Sequence, residues 1–136
     1  MKKISLLLVT LSFITSCTPI EKEIQLMPID YLTAGLSKTW KLTQFKNAEI
    51  DQLTDCIKDD TFTFKKKAGE YEWKKGESKC YTEDVDAVFS YKLTADGSAL
   101  TINEYEYKVN RLDMKNLEIE IVLNGHKQIL GYSTVE

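Results

Sequence analysis

From Trp40 to Thr134, apolar side chains fall on every second position, in short runs separated by tight-turn chemistry. Trp40 and Leu42 alternate with Lys41 and Thr43, Phe62 and Phe64 with Thr61, Thr63 and Lys65, and Tyr71 and Trp73 with Glu70, Glu72 and Lys74. The period continues through Phe89, Tyr91 and Leu93, then Leu100 and Ile102, then Tyr105, Tyr107 and Val109. Leu117, Ile119, Ile121 and Leu123 follow, and Leu130, Tyr132 and Thr134 close the series. Successive side chains of an extended chain point to opposite faces, so the pattern predicts about eight short strands, each with one apolar face. Lys67-Ala68-Gly69, Ala95-Asp96-Gly97-Ser98 and Asn124-Gly125 supply turns, and Asn-Gly is the strongest short hairpin signal. No segment after Leu36 has the length of a helix that could cover a sheet. The strands must therefore bury their faces against one another, as a barrel or a sandwich. Local connections favour the first: an all-β fold, a single eight-stranded antiparallel up-and-down barrel with no free edge.

The aromatics expected inside that barrel are Trp40, Phe62, Phe64, Tyr71, Trp73, Phe89, Tyr91, Tyr105, Tyr107 and Tyr132. They can fill the interior outright or line a small pocket, and they are the candidate ligand-binding residues. Buried tyrosine hydroxyls need partners and can orient a polar group. A cavity above roughly 300 Å3 favours a ligand, and a filled core favours docking through loops. Trp40 and Trp73 are expected beside any such cavity, reached from the rim built by the long connections 47–59 and 76–86.

The chain opens differently. Met1-Lys2-Lys3 is a short basic segment, Ile4 to Ile14 is apolar, and Thr15 and Ser16 lead to Cys17. The apolar run falls well short of the ~20 residues that a spanning helix needs. Together these features make residues 1–16 a cleavable signal peptide. Ile14-Thr15-Ser16-Cys17 resembles a lipobox, which implies that the Cys17 thiol is acylated and becomes the membrane anchor. Residues 17–28 read as the lipidated cysteine and a tether. Residues 29–136 read as the folded domain, introduced by a helical turn capped by Asp30 with Tyr31 to Leu36 as its body.

Removing Lys2 and Lys3 leaves 16 basic against 21 acidic side chains, a net charge of −5. This balance excludes the cationic stripe that nucleic-acid binding requires. Beyond Cys17 two cysteines remain, Cys56 and Cys80. An even pair in an oxidising compartment points to a disulfide, the alternative being two reduced buried thiols. In a meander the first and third connections share one end of the barrel, which brings Cys56 and Cys80 to one rim. That rim also carries Asp51, Asp55, Asp59, Asp60, Glu77, Glu83, Asp84 and Asp86, read as a solvated acidic face without calcium-loop spacing. His126, the single histidine, follows the Asn-Gly turn with no partner to orient it. There is no zinc-ligand pair, phosphate-binding glycine loop or nucleophile elbow, so no enzyme, metal or cofactor is expected.

Leu36-Ser37-Lys38-Thr39-Trp40-Lys41-Leu42 is similar to the first-strand motif of the small lipocalin-like lipoproteins of Gram-negative bacteria. In that motif a glycine precedes the tryptophan by two, where this chain has Lys38. A cysteine ahead of the second strand, Cys56 to Phe64, and the strand running through Arg111-Leu112 into a polar turn extend the resemblance, which covers Leu36 to about Val135. It implies a lipocalin-like barrel that binds a small, mostly apolar ligand. The alternative is a protein-interaction or inhibitor lipoprotein with a solid barrel. The expected setting is the cell envelope, at the outer membrane since Thr18 supplies no aspartate retention signal. The expected form is a monomer.

Overall fold

The computed structural model describes residues 25–135. The expected signal peptide, Cys17 and the expected tether as far as residue 24 lie outside these described residues. Pro28, whose fixed φ and missing N–H suit a first helical position, opens α1 (Pro28–Thr33). Asp30 is therefore not the N-cap expected of it. It lies in the first turn, where its Oδ2 accepts the Met27 N–H at 3.1 Å. The helix also ends before Leu36, because Ala34 and Gly35 turn left-handed at φ 48° and 84°.

The rest of the chain is β1 (Ser37–Asn47), β2 (Ile50–Asp51), α2 (Asp55–Lys58), β3 (Thr61–Lys65), β4 (Glu70–Lys74), β5 (Ala87–Leu93), β6 (Ala99–Ile102), β7 (Tyr105–Leu112), β8 (Asn116–Leu123) and β9 (His126–Thr134). β1 and β3 to β9 pair antiparallel in chain order, and β9 returns to β1, closing an eight-stranded barrel. The two-residue β2 only folds back on the end of β1. Asn124 and Gly125 hold φ 52° and 76° between β8 and β9, the double left-handed geometry of the tightest hairpin turn.

β1 is shared along its length. Ser37 to Trp40 pair with β3, while Trp40 to Asn47 pair with β9 through a bulge between Leu42 and Gln44. Beyond Trp40 the first strand thus parts from the third, and α2 packs against β1 near this parting.

One end of the barrel is floored. α1 lays the fully buried Leu32 and Thr33 over it, and the Trp40 indole N–H donates to the Leu32 carbonyl at 3.1 Å. Trp40, Phe64, Leu100 and Leu117 pack with Leu32, each almost wholly excluded from solvent. Lys38, at the position of the motif glycine, uses its length. Its ammonium sits 4.5 Å from the centroid of the Trp40 ring and donates to the carbonyls of Tyr31 and Met114. Desolvation pushes that ammonium below the ordinary lysine range. Lys66 completes the floor with a 2.7 Å bridge to Asp30.

Candidate ligand-binding site

Above this floor the barrel is hollow. A cavity of ≈360 Å3 lies between Leu42 and Phe45 of β1, Ile57 of α2, Phe62 of β3, Tyr71 and Trp73 of β4, and Phe89 of β5. Ile102 of β6, Asn103 in the next turn, Tyr105 and Tyr107 of β7, and Leu130 and Tyr132 of β9 complete its wall. At about 30 Å3 per water molecule this is space for roughly a dozen waters. Its mouth lies at the end bearing α2, the β4–β5 connection and the β6–β7 turn, where Tyr105 is half exposed.

Seven of the candidate aromatics meet here: Phe62, Tyr71, Trp73, Phe89, Tyr105, Tyr107 and Tyr132. Phe62 is their hub. Its ring centroid lies 5.9 Å from Tyr71, 5.6 Å from Trp73 and 5.4 Å from Tyr132, the last edge-on. Trp40, Phe64 and Tyr91 do not reach the cavity. Trp40 and Phe64 belong to the floor, and Tyr91 packs edge-on against Phe64 at 5.0 Å. Of the two tryptophans expected beside the cavity, only Trp73 is there, because Trp40 is held at the other end by α1.

Tyr71 and Tyr132 are the most deeply buried polar residues of the wall, each about 5% exposed or less. Burial pushes both phenols upward. Tyr107, half buried, is raised by desolvation as well. The three hydroxyls therefore stay protonated through the physiological range, each able to donate and accept.

Of the rim carboxylates expected to form a solvated acidic face, Asp51, Asp55, Glu77, Glu83 and Asp86 are exposed, whereas Asp60 is not. Asp60 is fully buried and accepts the Trp73 indole N–H at 2.7 Å and the Gly76 N–H at 2.8 Å. Its Oδ2 also lies 3.4 Å from the Lys75 ammonium, which stands 3.9 Å over the Trp73 ring and 3.7 Å from Asp84. Asp59 accepts the Ser78 N–H, Asp84 accepts those of Cys80 and Tyr81, and Asp86 accepts that of Lys75. These carboxylates order the β4–β5 connection, since each satisfies backbone donors that a strand partner would otherwise take. Gly76 permits the approach, because a Cβ there would lie 2.1 Å from the Asp59 carboxyl carbon. Among the described residues no group of three or more His, Cys, Asp or Glu could hold a metal ion. His126 is exposed beside its turn.

Cys56 of α2 and Cys80 of the β4–β5 connection are bonded, with Cα atoms 5.0 Å apart. The crosslink ties α2, and with it the cavity residue Ile57, to the neighbouring β4–β5 connection at the same end of the barrel. Closing a loop of 24-residue separation is worth about 3 kcal/mol in the chain-entropy model. Cys56→Ser with Cys80→Ser is expected to lower the urea midpoint accordingly. An unchanged midpoint would show that the rim carboxylates suffice without the bond.

Four wall residues outside the candidate set continue alternations visible in the sequence or shift them. Leu42 follows Trp40 by two, Leu130 precedes Tyr132 by two, and Ile102 follows Leu100 by two. Phe45 breaks the phase of β1, and the bulge at Leu42/Gln44 is what turns it inward. Ile57 arrives on a one-turn helix inside a polar loop, and Asn103 sits in a turn at φ 55°, so neither carries a periodic signal.

No curated protein matches the chain. A family model, the lipocalin-like domain, matches residues 36–120, from the end of the α1 turn into β8. With that match spanning most of the closed eight-stranded barrel, the chain belongs to the lipocalin-like domain family.

Proposed function

We propose that the protein is a lipid-anchored envelope lipoprotein whose barrel carries a small, mostly apolar ligand. The observation that supports the carrier reading is the ≈360 Å3 cavity walled by aromatic and aliphatic side chains with a few hydroxyls among them. That volume and composition are those of small-molecule sites, whereas the solid-barrel alternative requires the same space to be filled. Anchoring through Cys17 rests on the pattern of residues 1–17, and placement at the outer membrane rests on Thr18 standing where a retention aspartate would. The protein acts in this reading as a monomeric binding module, not as an enzyme, and no nucleic acid takes part.

Trp73 provides the test. Titration with apolar ligands is expected to shift tryptophan emission saturably, and Trp73→Phe is expected to abolish the response. Trp40 remains in that variant, but it reports only the floor. Absence of any emission change across a broad ligand panel, together with no retained ligand in native mass spectrometry, would transfer the function to loop-mediated docking.

A further inference from the structure

The cavity wall contains no ionised side chain. Its polar atoms are phenols, an indole and one amide: Tyr71, Tyr105, Tyr107, Tyr132, Trp73 and Asn103. They are unevenly placed. Tyr71 and Tyr132 lie deep, while Asn103 and Tyr105 are exposed at the mouth. Resting on the ligand-carrier reading, we infer that the site selects uncharged amphiphiles, which enter polar end first and set a hydroxyl, carbonyl or amide against the Tyr71–Tyr132 pair.

Two arguments carry this. An ionised group brought into such a wall loses its hydration and gains no counter-charge, which costs far more than burying a neutral polar group that finds a hydrogen bond. The nearest ionic side chains offer no relief. Asp60 already accepts from Trp73, Lys75 and Gly76, and Lys75 is shared between Asp60 and Asp84. Hydrogen bonding supplies the second argument. Tyr71 and Tyr132 both line the cavity at its buried end, and each phenol carries one donor and two lone pairs that a third group can engage. A neutral hydroxyl or carbonyl satisfies these, whereas an alkyl end placed there leaves them unpaired. The aliphatic body then lies against Leu42, Phe45, Ile57, Ile102 and Leu130.

The test uses three probes of one alkyl length, decanol, decanoate and decyltrimethylammonium, at pH 8. They are titrated against the mature chain bearing Cys17→Ser, so that no lipid or detergent competes. Trp73 emission is the readout. Decanol is expected to bind at least tenfold more tightly than either ion, and Tyr132→Phe and Tyr71→Phe are each expected to reduce that preference. Equal binding of the three probes, or preference for an ion, would overturn neutral selection while leaving the carrier reading in place. A tenfold preference that survives in both phenylalanine variants would overturn the polar-end-first placement. Binding of no probe, with none from the broader panel, would instead remove the carrier reading on which the inference stands.

Discussion

Asp60→Ala is expected to destabilise the domain by about 3–5 kcal/mol, the range for removing one partner of a buried ion pair. The carboxylate is fully buried, and three donors converge on it: the Trp73 indole, the Gly76 amide and the Lys75 ammonium. Its loss leaves an indole N–H and a backbone N–H without partners, each worth about 1–3 kcal/mol when stranded. It also leaves a lysine whose side chain is only 10% exposed with Asp84 alone, at 3.7 Å. Asp60→Asn keeps the volume and one acceptor oxygen, so it is expected to cost less. The double variant Asp60→Ala, Lys75→Ala is expected to be milder than the sum of its parts, because the stranded charge is gone. Denaturant unfolding monitored by Trp73 emission measures all of these. A single-variant loss below about 1 kcal/mol would mean that the rim relaxes to admit water, and the account of Asp60 as its organising acceptor would fail.

Cys17→Ser is expected to remove the acyl modification completely. Each buried methylene contributes about 0.8 kcal/mol to membrane attachment, and stable anchoring takes two chains, since a single chain binds only marginally. The thiol is the proposed site of attachment, and a serine hydroxyl does not replace it as the nucleophile for that transfer. Labelling cells with an alkyne fatty acid should mark the wild-type protein and leave the variant unmarked. The variant should also run as a precursor that keeps residues 1–16. Undiminished label on Cys17→Ser would refute the anchor, whatever the fractionation pattern.

The barrel was legible because period-two alternation and turn chemistry are local properties. Phe62 and Phe64, or Leu117 and Ile119, show which face of their strand is inside. Alternation fixes the side but not the height along the barrel. That is why Trp40 and Trp73 look equivalent in the sequence, although one lies in the floor and the other in the cavity wall. Height follows from register, and register here is set by the bulge after Leu42 and by the early departure of β1 from β3. The burial of Asp60 was hidden for a different reason. Asp59-Asp60-Thr61 reads as a polar connection, and only the tertiary return of Lys75 and Gly76 converts it into an interior acceptor. Proline at position 28 was a readable signal for where α1 starts, and it outweighs Asp30 because a pre-set φ needs no partner.

α1 forms the floor, and the mouth opens at the far end. The chain that precedes Pro28 therefore joins the barrel at its closed end. With a lipid on Cys17, the ten residues between it and Pro28 span at most about 33–36 Å. That is comparable to the height of the barrel wall, since a strand the length of β8 runs to roughly 26 Å. Upright, such a molecule offers its opening to whatever faces the membrane from across the aqueous gap, and not to the bilayer holding it.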